Sequence, residues 1–287
     1  MSIKEVDQVL PVARTEPARP RTRRSAVKPR PWKRYEATAI AAVSVTIVLS
    51  TWQMIANARV VPPLFLPGPV EIAQALVKLF NDPRTNIWLD LSTSGQEIAV
   101  GYGMAIVLGL VLGILMGWYT RFQYALDPYV NFFYSTPRIV LVPIFIIWFG
   151  IGWESKVAVI FLGALFPIII NTMAGVRNTD AALLRVAKSF GASEALVFRR
   201  VVLPGAVPFI LTGFRLGVGH ALTGVVVGEL IAAEHGIGKL ISDAGVTFQT
   251  PKMFAGVVFI AGTGMMLTWL LQRVENRFQS WRPQIKS

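Results

Sequence analysis

The chain has 287 residues, of which 53% are hydrophobic and only 15% charged, with no cysteine and a formal net charge of +12. A soluble domain usually carries about 25% charged residues, and the missing cysteines exclude disulfides and thiolate metal sites. The positive charge raises nucleic acid as a partner, but its placement argues against that class. Residues 1–34 hold ten Lys/Arg against Glu5, Asp7 and Glu16. This Pro/Arg-rich leader is too poor in apolar residues to fold, and it suits anionic lipid head groups on its side of a bilayer.

Apolar runs recur at 37–57, 97–118, 125–150, 157–176, 206–230 and 253–272. Each approaches the roughly 20 helical residues that cross a ~30 Å hydrocarbon layer. None shows the alternation of a lipid-facing strand. The expectation is an all-α, polytopic membrane protein with about six transmembrane helices: a leader over 1–34, a first span within 35–60, and five more spans within 61–287. Arg23-Arg24 before the first run, with Ala56-Asn57-Ala58 after it, also resembles a twin-arginine signal with a cleavage site. The length of the run and the five further spans favour a retained helix.

Between the first two spans, Pro69 opens an amphipathic stretch with Ile72, Ala73, Leu76 and Phe80 on one face, expected to lie along the interface. Span 2 carries Gly109, Gly113 and Gly117 at fourfold spacing, where missing side chains let another helix approach, within this subunit or across a dimer contact. Pro128, Pro137 and Pro143 predict a kinked or split span 3, and span 4 has Pro167 near its middle. Four ionisable groups fall inside spans: Arg138, Arg215, His220 and Glu229. Arg215 is read as snorkelling to the near interface, and Glu229 as wet at the far end. Arg138 lies mid-span, or near an interface if the helix breaks at Pro137. His220 serves either a neighbouring helix or a solute path.

Residues 177–205 are too long for a simple turn and too polar to span. Asp180 opens a helix on which Leu183, Leu184, Ala187 and Phe190 share a face, and Gly191 ends it. Ser193 and Glu194 start a second helix, which Pro204 is expected to close. Leu196, Val197 and Phe198 beside Arg199 and Arg200 suit either a partner's groove or the bilayer surface. Lys/Arg outside the spans divide as twenty on the side of the leader, loops 119–124 and 177–205 and the tail, against six on the other side. That asymmetry places both termini and the 177–205 segment in the cytoplasm.

Nucleotide, metallohydrolase and serine-hydrolase motifs are missing. HGIGKLI falls short of a P-loop, because Ala233 stands five residues before Gly238 and Leu240 follows Lys239. The chain has two histidines, too few for a dedicated transition-metal site.

The 177–205 segment resembles the cytoplasmic signature of ABC-importer permeases, Glu-Ala-Ala, three residues, Gly, nine residues, Ile, one residue, Leu-Pro. Here it reads Arg185-Val186-Ala187, Gly191, Val201 and Leu203-Pro204. LPGPVEI, DPYVNFFYSTPRIVLVPIFIIWFGIG, SKVAVIFLGALFPI and GELIAAEHGIGKLI extend the resemblance to the nitrate/sulfonate/taurine branch over about 60–282. The resemblance implies a type I (MetI-like) permease fold in the inner membrane, with two permease copies and no cofactor or catalytic group of its own. It further implies a cytoplasmic ABC ATPase dimer that uses ATP, and an extracytoplasmic solute-binding protein. Ala187, Gly191, Ala192, Ser193, Glu194, Phe198, Arg199, Arg200, Val201, Leu203 and Pro204 would form the ATPase-coupling element. Arg138 and His220 would line the path of a small anionic solute. Arg185, where the signature has Glu, removes an acid from that element. A self-powered secondary transporter or channel, which calls for repeated halves and paired intramembrane carboxylates, and a membrane scaffold are the alternatives.

Overall fold

The computed structural model describes residues 32–82 and 85–278, with the side chains of 32–34, 138 and 278 outside that description. The basic leader therefore lies outside the described residues up to residue 31. Every regular element among the described residues is helical. The chain divides into one unit ending at Ser50 and another beginning at Thr51. The first unit contributes most of α1 (Trp32–Asn57), a helix with exposed Ile40, Val43, Ile47 and Val48. Apolar side chains displayed all round a helix suit hydrocarbon rather than water.

In the second unit, α2 (Pro69–Asn81) begins with proline at its first turn, and the Gly68 N–H donates to Glu71 Oε2 at 3.2 Å. Its inward face is Ile72, Ala75, Leu76 and Leu79, rotated from the expected one. Ala73 is exposed, and Phe80 stands at the edge against the rings of Trp88 and Phe259. The hydrophobic face follows i, i+3, i+4, i+7 from Ile72, and the sequence reading began that series one position off.

Three long helices make the core: α3 (Ile87–Trp118), α6 (Trp153–Arg177) and α9 (Leu203–Ala232). Along α3, Gly101, Gly109, Gly113 and Gly117 lie on Ile160, Ile168, Thr172 and Val176 at a constant offset. The two helices therefore run parallel. A Cβ on these glycines would come within 2.8, 2.7, 2.6 and 2.6 Å of the facing side chains. Gly109, Gly113 and Gly117 thus serve packing within this chain, in the small-residue mode of membrane helices. α9 runs antiparallel to α6, with Gly213 on Asn171, Gly224 on Ile160 and Gly228 on Lys156. The Tyr102 hydroxyl ties α3 to α9 by donating to the Phe214 carbonyl at 2.8 Å.

The predicted interruption of span 3 is present. α4 (Thr120–Ser135) stops before Pro137, a 3₁₀ turn covers Arg138–Leu141, and α5 (Val142–Phe149) departs at 92°. Pro137 cannot donate a backbone hydrogen bond and Pro143 fits the first turn of the new helix. Two short helices follow α6: α7 (Ala181–Ser189) and α8 (Glu194–Val197). Beyond α9 come α10 (Ile237–Val246) and α11 (Thr250–Phe278). Arg215 does not snorkel alone, since its guanidinium meets Glu275 of α11 at 2.5 Å. A partner supplied by another helix cannot be read from local spacing.

Candidate functional site

At one end of the helix block, residues 177–205 fold against the ends of α3, α6 and α9. Asp180 caps α7 by accepting from the Ala182 N–H at 2.7 Å. Gly191 takes φ +72, and the Ala192 N–H reaches back to the Ala187 carbonyl at 3.1 Å, the closing bond of a helix-ending glycine motif. Ser193 then accepts from Leu196 N–H at 3.4 Å and starts α8, with Glu194 in its first turn.

Leu184, Ala187, Ala192, Phe198, Val201 and Leu203 pack around buried Val176, Val197 and Val202, and Phe198 meets Trp118 edge to face. Leu183, Val186 and Phe190 remain exposed, Phe190 at 87%. The expected shared face of α7 is therefore divided, with Leu184 and Ala187 inward and Leu183 and Phe190 outward. Arg185, Arg199 and Arg200 are also exposed.

Pro204 does not close the second helix. α8 continues through a π turn over Phe198–Val202 into α9, giving one helical rod from Glu194 to Ala232. The Leu203 N–H donates to the Phe198 carbonyl, five residues back. That wider register accommodates the donor proline lacks and places Pro204 in the first turn of the resumed α-helix.

Midway along the block, a cavity of about 310 Å³ is lined by Ile139, Val159, His220, Thr223, Gly224 and Val227. It joins the turn after the span 3 break to α6 and α9, and its volume is at the small end of ligand pockets. His220 is half-buried in its wall. The neighbouring Arg138 opens the 3₁₀ turn, and its side chain lies outside the described residues.

The opposite end holds a polar cluster that the sequence reading missed. Glu97 and Glu229 are both fully buried, and the Lys156 ammonium meets Glu97 Oε1 at 2.6 Å. Glu229 accepts from the Ser94 hydroxyl at 2.5 Å and from the Gly238 N–H at 2.5 Å. Ser94 Oγ accepts in turn from the Ile237 N–H at 2.9 Å, and Asp90 accepts from the Gly236 N–H at 3.0 Å.

Glu229 stands near the end of α9, as expected, yet it is fully buried rather than wet, and Glu97 lies ten residues inside α3, which begins at Ile87. The span read over 97–118 starts too late, because α3 begins at Ile87 and its polar Asp90 and Ser94 turn inward onto the start of α10. The available signal was the spacing in GELIAAEHGIGK, an acid followed by a helix start at Gly236-Ile237 with no side-chain cap of its own.

Among the described residues, five helices are long and apolar enough to cross a membrane, or up to six with the bent pair as one span. With a helix–glycine–helix segment running into one of them, they define a multi-pass membrane protein. The family described as binding-protein-dependent transport system inner membrane component matches residues 105–280. The taurine transport system permease protein TauC of Escherichia coli (strain K12) is 32% identical over 260 residues, covering 89% of this chain and 94% of that one. The putative aliphatic sulfonates transport permease protein SsuC of Bacillus subtilis (strain 168) is 34% identical over 263 residues, covering 92% and 95%. The fold is similar to a chain of the inward-facing MetNI methionine ABC transporter, at TM-score 0.58, 18% identity, and coverage of 68% of this chain and 97% of that one. The chain belongs to the inner-membrane components of binding-protein-dependent ABC transport systems, and forms the translocation path of an importer.

Proposed function

We propose that two copies of this permease carry a small sulfonate, of the taurine or alkanesulfonate class, between them, driven by a cytoplasmic ABC ATPase dimer and supplied by an extracytoplasmic solute-binding protein. The observation that carries this reading is the segment 177–205. It ends in an exposed apolar and basic surface at Leu183, Val186, Phe190, Arg199 and Arg200, and it continues without a break into α9. A surface of that kind suits a partner's groove, and a continuous helix transmits displacement along its length. The Lys/Arg asymmetry supports a cytoplasmic position for this end and both termini. Gly191, at φ +72, lets α7 turn back so that Ala187, Ala192 and Leu203 pack beneath the docking face.

The names of the two relatives support a sulfonate as solute. The cavity beside α9 offers His220 and Thr223 among apolar walls, with Arg138 at the adjoining turn. Buried cationic or neutral donors surrounded by apolar side chains recognise a compact anion well once it is dehydrated.

The test is uptake into vesicles holding the permease and its ATPase, with the loaded binding protein outside. Accumulation of labelled taurine or an alkanesulfonate that requires ATP and both partners supports the assignment. Flux without ATPase overturns it in favour of a self-powered transporter, and no flux with any sulfonate overturns the solute class.

A further inference from the structure

The polar cluster at the far end does work that its own helix cannot. α10 begins at Gly236-Ile237-Gly238, and none of these has a side chain able to cap the first turn. Three N–H groups there are satisfied by acceptors from two other helices: Asp90 and Ser94 of α3, and Glu229 of α9. An uncapped helix start leaves backbone donors without partners, so the first turn of α10 depends on α3 and α9 keeping this relative position. The fit admits little slack. Gly236 is at φ +131, and a Cβ there would run into the Glu229 carboxyl. One on Gly238 would come within 2.6 Å of Glu229 Cβ. Ser94 is a relay, donating to Glu229 while accepting from Ile237.

Charge reinforces the arrangement. Glu97 and Glu229 neighbour one another, and Lys156 supplies the cation that keeps their shared, buried surroundings from holding two uncompensated negatives. From Glu97 to Gly117, α3 rises about 30 Å, one hydrocarbon thickness. The cluster therefore sits at the membrane boundary opposite segment 177–205.

We propose that Asp90, Ser94 and Glu229 are positioning residues that fasten α10 to α3 and α9, so that engagement of the loaded solute-binding protein at this end reaches the transmembrane helices as a displacement of one block. The proposal rests on the importer reading, which faces this end toward the delivered solute. In this role the residues act through the first turn of α10.

The assembled transporter in vesicles tests it, with ATP hydrolysis measured against the concentration of its taurine- or alkanesulfonate-loaded binding protein. Ser94→Ala and Glu229→Gln should leave basal hydrolysis within about twofold of wild type while lowering stimulation about tenfold. Ser94→Thr, which keeps the hydroxyl, should retain stimulation. Wild-type stimulation curves in both Ser94→Ala and Glu229→Gln overturn the proposal. A parallel fall of basal rate, stimulated rate and thermal stability also overturns it, because it marks a role in folding alone. A wild-type transporter that no loaded binding protein stimulates overturns the importer reading itself, and the proposal with it.

Discussion

A buried lysine paired with one of two neighbouring buried glutamates sets the most exacting demand on single residues in this chain. Lys156 meets Glu97 at 2.6 Å, and removing one member of a buried pair leaves its partner as an uncompensated charge, a cost of about 3–5 kcal/mol. Replacing both by neutral side chains of similar size avoids that cost. Lys156→Met alone should therefore lower the thermal stability of the purified protein sharply, and Glu97→Gln with Lys156→Met should restore most of it. A melting series in detergent on the three proteins checks the order, and a double variant no better than the single one would contradict the pairing. These residues were poorly legible in the sequence for a physical reason. Local hydrophilicity leaves 90–96 outside the span read over 97–118, and only the tertiary approach of α6, α9 and α10 shows where the polar groups are satisfied. Gly109, Gly113 and Gly117 were legible, since fourfold spacing within one helix already places them on one face.

At the scale of elements, the rod from Glu194 to Ala232 changes what Pro204 is expected to do. If Pro204 set an angle between two helices, Pro204→Ala would remove it. In a continuous helix it occupies a first-turn position, where proline is tolerated and alanine equally so. Pro204→Ala should therefore keep uptake within about twofold, whereas Ala195→Gly, at an exposed position of the rod where glycine is about 1 kcal/mol less helical than alanine, should weaken the rod and lower uptake relative to ATP hydrolysis. Uptake per ATP hydrolysed is the ratio to measure. Gly191→Pro acts at the other end of α8. Proline holds φ near −65° against the +72 found there, and it removes an N–H that donates to Lys188. Membrane insertion should persist while hydrolysis uncouples from uptake, and full uptake by a well-expressed variant would remove Gly191 from the coupling path. The helix–Gly–helix order was readable from Asp180, Gly191 and Ser193, each a local capping signal. The uninterrupted passage through Pro204 was not, because a π turn is a compromise between segments and has no residue signature of its own.

For the whole molecule, the proposed route of the solute past the cavity at His220 and Thr223 is open to a chemical test. Thr223 is exposed in the single chain yet lines that cavity, as expected for a wall completed by a second copy. The chain has no cysteine, so one introduced at Thr223 is the sole thiol and reports its surroundings without a background. Threonine to cysteine preserves size, and uptake by Thr223→Cys should stay within about threefold of wild type, a change of under 1 kcal/mol. A methanethiosulfonate reagent bearing a sulfonate should then block uptake, since its charged group resembles the proposed solute and its reaction leaves a bulky anion in the path. Taurine delivered by the binding protein should slow that modification if solute passes this wall. Met265→Cys, on an exposed stretch of α11 outside the lining of that cavity, provides the contrast, and modification there should leave uptake unchanged. Block at Met265→Cys with none at Thr223→Cys would place the path elsewhere. Block at Thr223→Cys with solute protection would tie the broken span, α6 and α9 to one route, with Arg138 and His220 on its lining.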